Sequence, residues 1–434
     1  MIHIRNINLI NLNPAEVKFN YDILIEKNLI VKIEKNIRPS GKKLKTIDGT
    51  GKYIMPGLVC AHNHFYSVLS RGILASIPHS VNFVEILKNL WWRLDRAHNQ
   101  KSIYYSGLVG SLEAIKNGTT AVIDHHASPN FIKGSLCALE QGFSKMGLRG
   151  ILAYEITDRN GKTGAIQGIG ESKRFFHETN SELIKTSIGA HASFTLSDKT
   201  LQSISSLLKE TKTGIHIHIA EDKADVKRTR EKYHTSICKR LEKFDLLNDK
   251  ALLVHGVHLN KSEIDIINNH NSFLIHNPRS NMNNSVGYLK QILMIDNCCI
   301  GTDGIGSDMF EECRFAYFKS KEARVNLHPN QILKLLFNGN RILSRYFNKK
   351  FGRIAEGFEA DLIITDYKAA TPINEKNLGS HFIFGFSSKN VETSIIGGKI
   401  VYENRSFPFE VESIYAESRR QAEKLWERMN KIKP

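Results

Sequence analysis

From Pro56 to about Asn348 the chain alternates short apolar runs with longer stretches of helical periodicity, and it does so eight times. The runs are Gly57–Ala61, Thr119–Ile123, Arg149–Tyr154, Thr186–Ala190, Gly214–Ile219, Ala251–His255, Phe273–His276 and Cys298–Thr302. Strands buried on both faces by flanking helices need this near-continuous apolar character. Eight such units predict an α/β fold, a (β/α)8 TIM-like barrel, in which functional side chains gather at the C-terminal strand ends. The flanks differ in texture. Residues 1–55 carry short alternating β runs, and β character returns at 351–364 and 391–401. Each piece is too short to hold a core alone, so both ends are expected to build one small β-sandwich-like domain. The expected division is residues 1–55 for its N-terminal part, 56–350 for the barrel, and 351–434 for the rest plus a charged amphipathic terminal helix. A length of 434 residues suits a large barrel with a satellite.

Five of the apolar runs close on metal-type side chains. The first ends in His62-Asn63-His64, and alternate strand residues point the same way, so both imidazoles can meet one cation. The fifth contains His216 and His218 and is followed by Glu221. His218 is placed at the barrel mouth, Glu221 in the loop within reach of a substrate, and His216 one layer deeper as a hydrogen-bonded core residue. In Val254-His255-Gly256-Val257-His258, only one imidazole should enter the site; His255 is chosen and His258 is read as structural. Asp303, flanked by glycines at the end of the last run, is read as a ligand and proton acceptor rather than a simple turn former. His191 ends the fourth run and is assigned to substrate contact. Asp124-His125-His126 also reaches the mouth with its role open, and His276–Asn281 is a pocket cap or a turn.

Imidazoles plus a carboxylate suit Zn²⁺, with Fe²⁺ as the other choice. The chemistry this predicts is metal-assisted hydrolysis, because a divalent ion lowers the pKa of a bound water from about 15.7 toward ~7. Asp303, aided by His255, is expected to orient that water and take its proton, and Glu221 to carry protons to a ring nitrogen or a departing amine.

Composition narrows the setting. Six cysteines (60, 137, 238, 298, 299, 313) show no Cys-x-x-Cys pair, which argues for reduced thiols in a cytoplasmic protein. The N-terminus lacks a signal-peptide core, and no apolar run approaches the ~18 residues of a membrane span. A net charge of +16 invites a nucleic-acid reading, but the basic residues are scattered beside acidic ones and no binding motif accompanies them. They are taken as solvated faces, with no nucleic-acid and no membrane partner.

Pro56-Gly57-Leu58 leading to His62-Asn63-His64, His218-x-x-Glu221, His255, Gly301-Thr302-Asp303 and the closing Gly357–Leu362 segment together resemble the amidohydrolase superfamily, in its cytosine/guanine deaminase and chlorohydrolase branch. Cys60–Ser67 and Asp124–Pro129 are most similar to SsnA-type aminohydrolases. The resemblance implies one divalent ion held by His62, His64, His218 and Asp303, with His255 as ligand or water partner. Two-metal relatives use a modified lysine at the end of the fourth strand, where this chain has His191, with Lys185 before it. The resemblance also implies a homodimer and a small-molecule substrate. Because some dechlorinating relatives lack the glutamate, Glu221 points to deamination at an amidine-type carbon of a nitrogen heterocycle. The alternatives are hydrolysis of another C–N or C–Cl bond on the same scaffold, or a catalytically silent binding barrel.

Overall fold

The computed structural model describes residues 1–39 and 44–434. The first strands are β1 (Ile2–Leu12), β2 (Ala15–Glu26), β3 (Leu29–Glu34), β4 (Lys45–Asp48) and β5 (Tyr53–Pro56). β1 and β2 run further toward their shared turn than the apolar pattern shows, pairing out to Leu12 and Ala15. Asn11, Glu16 and Lys18 pair there by backbone and leave no apolar trace; nearer the strand start the register is irregular between Ile4 and Leu9, with Asn6 at φ 52°.

The barrel begins at β6 (Leu58–Asn63) and continues through β7 (Thr119–His126), β8 (Arg149–Tyr154), β9 (Ile184–Thr186), β10 (Ile188–Ala192), β11 (Ile215–Ile219), β12 (Leu252–His255), β13 (Phe273–His276) and β14 (Cys298–Ile300). β9 and β10 are one strand interrupted at Ser187. β9 pairs with β8 and β10 with β11, and the bridge between Ile156 and Ala190 joins the two parallel sheets. The ring closes where Asn63 bridges Asp303 and where the amides of Thr302 and Asp303 both donate to the His62 carbonyl. The last strand therefore ends at Ile300, two residues short of its expected end, and its continuation is pinned to β6 instead. A Cβ on Gly301 would lie 2.6 Å from Asn277 Oδ1 and 2.8 Å from the His62 amide, so only glycine permits this approach.

Alternation places the side chains on β11. Ile215, Ile217 and Ile219 join the main hydrophobic core, while His216 and His218 point to the opposite face. The surrounding helices follow the same economy. Helix Asp198–Thr211 buries Leu201, Ile204 and Leu208 along one stripe and starts at Ser197, whose hydroxyl accepts from the Thr200 amide. Helix Gln100–Lys116 opens on a capping box between Asn99 and Ser102.

After the barrel, β15 (Leu362–Thr365), β16 (Val391–Ile396) and β17 (Lys399–Tyr402) return to the first sheet. Its order is β17-β16-β15-β5-β1-β2-β3, with β4 on β1. Arg149, at the start of β8, ties this sheet to the barrel: its Nε and Nη2 donate to the two Asp361 oxygens at 2.6 and 2.9 Å. Phe347 and Phe351 stack on the same guanidinium at 4.9 and 4.8 Å. The helix Glu412–Asn430 packs Leu425 and Met429 against Tyr66, Leu69 and Leu94. No described helix is long and apolar enough to cross a membrane.

Candidate active site

Three imidazoles and one carboxylate converge at the C-terminal end of the barrel. The Asp303 Oδ1 atom lies 3.1 Å from His64 Nε2 and 3.6 Å from His62 Nε2, and His218 Nε2 lies 3.3 Å from His64 Nε2. His255 Nε2 stands 3.7 Å from the other Asp303 oxygen. Ligand-capable atoms of His62, His64 and Asp303 fall within 4.8 Å of one another, as do those of His62, His218 and His255. His62 Nε2 is buried with no protein partner. A lone pair aimed into a nest of nitrogen and oxygen donors fits a divalent cation of the zinc type.

Each imidazole is held by its far nitrogen. His64 Nδ1 donates to the His125 carbonyl at 2.6 Å and His218 Nδ1 to the His191 carbonyl at 2.8 Å. His62 Nδ1 instead meets the imidazole of His216 at 2.8 Å. These contacts leave all three Nε2 atoms free to face the same point. The residues of the first strand and the closing loop are locked together as well. Asn63 Nδ2 donates to Thr302 Oγ1 at 2.7 Å and to the Gly306 carbonyl at 2.6 Å. His255 and Asp303 both adopt left-handed backbone, at φ 73° and 53°, a strain often stored where a side chain must be aimed.

The electrostatics assign the cluster room for positive charge. Burial pushes the Asp303 carboxyl up, but contact with the His62 and His64 imidazoles and the charge of His64 and His255 overcome it and hold the group well below its usual range. Burial opposes a proton on His64, yet contact with Asp303 raises that imidazole to about 9. Burial holds His62 well below its ordinary value and lowers His218 to about 3. Glu221 stands 3.5 Å from His255 Nε2 and accepts from Asn284 Nδ2 at 3.3 Å. Its carboxyl is pushed up by burial, with His255 acting against the shift.

The profile of the Amidohydrolase family matches residues 53–401. The chain belongs to the amidohydrolase family. It is 29% identical over 420 residues to a 5'-deoxyadenosine deaminase of Methanococcus aeolicus, covering 93% of this chain and 95% of that one. It is 30% identical to a 5-methylthioadenosine/S-adenosylhomocysteine deaminase of Thermococcus sibiricus, over 88% of this chain and 89% of that one. Among solved structures it resembles a zinc-bound adenosine deaminase from Xanthomonas campestris, with a TM-score of 0.85, 22% identity and 99% of both chains covered. A zinc complex of atrazine chlorohydrolase from Arthrobacter aurescens gives a TM-score of 0.82 at 19% identity, covering 97% of this chain and 100% of that one.

In this amidohydrolase the cluster opens into a cavity walled by polar and aromatic side chains. His64, His218, His255, Asp303, Glu221 and His191 all line it. Phe83, Trp91 and Trp92 form an aromatic wall, carried partly by a π-helical turn at Leu87–Trp91. The His276–Asn281 segment becomes a helix, Pro278–Asn283, whose side chains brace the site. Ser280 Oγ donates to Asp303 Oδ2 at 2.6 Å, and Asn281 Oδ1 lies 2.8 Å from His255 Nδ1.

Other histidines go elsewhere. His258 donates to the Val286 carbonyl at 2.9 Å. Asp124, His125 and His126 are wholly buried: Asp124 accepts from the Phe65 amide at 2.6 Å, and His125 donates to the carbonyls of Ala190 and His216. Lys185 leans over Phe347, at 5.8 Å from the ring. Asp95, Glu155 and Arg159 also line the cavity and were not singled out from sequence. The available signal was positional, since Glu155 and Arg159 directly follow the C-terminal end of β8.

Proposed function

We propose that this chain is a zinc-type deaminase that removes the exocyclic amino group of an aminated nitrogen heterocycle, an adenine-type ring first of all, and releases ammonia. His62, His64, His218 and Asp303 would hold the single divalent ion, with Fe²⁺ as the other candidate metal. When bound, the ion supplies Lewis acidity and makes a water acidic enough to ionise near neutral pH.

The chain's own groups then do the proton work. Asp303 and His255 would accept a proton from the attacking water, a reading supported by the 3.7 Å between Asp303 Oδ2 and His255 Nε2. Glu221 delivers its proton to the ring nitrogen beside the reacting carbon as the C–O bond forms. The C–N bond then breaks: the departing amine takes the proton that Asp303 received from the water, the new hydroxyl returns one to Glu221, and ammonia leaves. Trp91, Trp92 and Phe194 offer faces against which a flat ring can lie, and His191 contributes to the same wall.

The observation that carries this reading is Glu221, a carboxyl whose burial favours the protonated form, set 3.5 Å from His255 beside the cluster. The deaminase names of the sequence relatives support it. Six free thiols, five of them buried, support a reducing, cytoplasmic setting. The test is ammonia release by zinc-loaded protein from 5'-deoxyadenosine, 5-methylthioadenosine, guanine, cytosine and a chlorotriazine. Chloride release without ammonia from any of them would replace deamination with dechlorination.

A further inference from the structure

One short helix reaches every group that the proposed chemistry uses to move protons. It runs from Pro278 to Asn283, six residues, and Asn284 closes it. Ser280 Oγ donates to Asp303 Oδ2 at 2.6 Å, Asn281 Oδ1 lies 2.8 Å from His255 Nδ1, and Asn284 Nδ2 donates to Glu221 Oε1 at 3.3 Å. The contacted groups follow or end three different strands, β14, β12 and β11. A shift of this one helix therefore disturbs all three contacts at once.

A helix of under two turns closes few bonds of its own, so its position is set by what it is fastened to. The fastening is Arg279. Its backbone amide donates to Glu312 Oε1 at 3.0 Å, its Nε donates to Glu312 Oε2, and its Nη1 binds Glu311. Nη2 crosses to the Ile305 carbonyl at 2.9 Å, two residues past Asp303. One side chain thus joins the short helix, helix Met309–Glu322 and the loop that carries Asp303.

Two observations set this clamp apart from a surface ion pair. The Glu312 side chain is wholly buried, and Arg279 supplies a donor to each of its oxygens. Without the guanidinium, a buried carboxylate oxygen loses its donor and the packing around it must move. Arg279 also lines a separate cavity behind the Gly304–Ser307 loop, whereas Ser280 and Asn284 line the reaction cavity, and Gly304 and Ile305 line both. The loop is the wall between the two cavities, and Arg279 grips it from behind.

We infer that Arg279, paired with Glu312, is a positioning residue that holds helix Pro278–Asn283 and the Asp303 loop in one register, so that Asp303, His255 and Glu221 are aimed together. This deepens the deaminase reading and rests on it for the turnover measurement only. A lysine at position 279 keeps a charge against Glu312 but replaces the fork with a single ammonium that cannot also hold the Ile305 carbonyl. Arg279→Lys therefore separates geometry from charge.

The comparison is zinc-loaded wild type, Arg279→Met, Arg279→Lys and Asp361→Ala, the last breaking a buried arginine pair that does not touch the short helix. On 5'-deoxyadenosine, kcat per bound zinc should fall roughly 10–100-fold in Arg279→Met and about fivefold or more in Arg279→Lys, with KM within about twofold of wild type. Asp361→Ala should lose stability and keep its kcat per bound zinc. Should Arg279→Met not fold, Arg279→Lys carries the test. Wild-type kcat in Arg279→Lys, a loss that appears in KM instead, or an equal loss of kcat in Asp361→Ala overturns the inference. Cobalt(II) in place of zinc reads the site without substrate: its visible absorption should shift in Arg279→Lys, because Asp303 loses its aim, and stay as in wild type in Asp361→Ala. If no ring yields ammonia the deaminase reading falls, while a shifted cobalt spectrum in Arg279→Lys still upholds the clamp, and an unshifted one sinks it.

Discussion

His216 Nε2 lies 2.8 Å from His62 Nδ1, and both rings are wholly shut off from solvent. His64 and His218 lean on backbone carbonyls, but His62 leans on another side chain, so its orientation is open to mutation. With Nε2 free for a cation, His62 carries its proton on Nδ1 and donates to His216. Replacing His216 by Phe strands that donor, at a cost of about 1–3 kcal/mol. Zinc retention should fall roughly 10–100-fold, read as faster release to a chromogenic chelator. Release at the wild-type rate would remove His216 from the site.

Glu221→Gln keeps the shape of the loop and removes the proton carrier. Deaminase kcat should drop about 10²–10⁴-fold with zinc content unchanged by elemental analysis. A variant with near-normal turnover would assign proton delivery to another group.

The apo-protein should compete with protons for its metal. His64 is raised to about 9 by Asp303, so at neutral pH metal entry displaces a proton from it. Zinc affinity should therefore rise from pH 6 toward 9 and flatten above that. Without metal, the raised His64 value stabilises the fold fully below its ordinary 6.5, and that contribution disappears as pH climbs through about 9. Calorimetry in buffers of different ionisation heat counts the released proton, and pH-independent affinity would contradict the expectation.

Asp361→Ala leaves the Arg149 guanidinium, 1% exposed, without its bidentate partner. Breaking such a buried pair costs about 3–5 kcal/mol. Urea denaturation should show that loss, while kcat of the folded fraction stays near wild type because the pair sits at the start of β8, away from the ligand cluster. Unchanged stability would show that Phe347, Phe351 and Glu359, whose Oε2 lies 3.7 Å from Arg149 Nη2, suffice to hold the arginine.

The barrel was legible because every strand is a short apolar run, and burial on both faces imposes that pattern whatever the partners are. The convergence of His62, His64, His218 and Asp303 could be anticipated because strand ends in a barrel share one mouth. Asp95, Glu155 and Arg159 were not legible. Each is an ordinary charged residue in its own segment, and only the meeting of a helix with a strand-end loop gives the trio meaning. His216 was expected to be a hydrogen-bonded core residue; that its partner would be His62 depends on side-chain directions in two strands far apart in the chain. The ends of β1 and β2 were hidden by polar residues such as Asn11, Glu16 and Lys18, which pair by backbone and leave no apolar trace.

β5 sits in the middle of its sheet, with β1 on one side and β15 on the other, and Ile54 pairs with Ile364. During synthesis at about 5–20 residues per second, β5 waits on the order of 15–60 s for that neighbour to be made. Until then its flank is an unpaired template for any passing strand. The newborn chain is thus most exposed to aggregation through a segment that the finished protein conceals, and slowing translation should lower soluble yield without touching the activity of what folds.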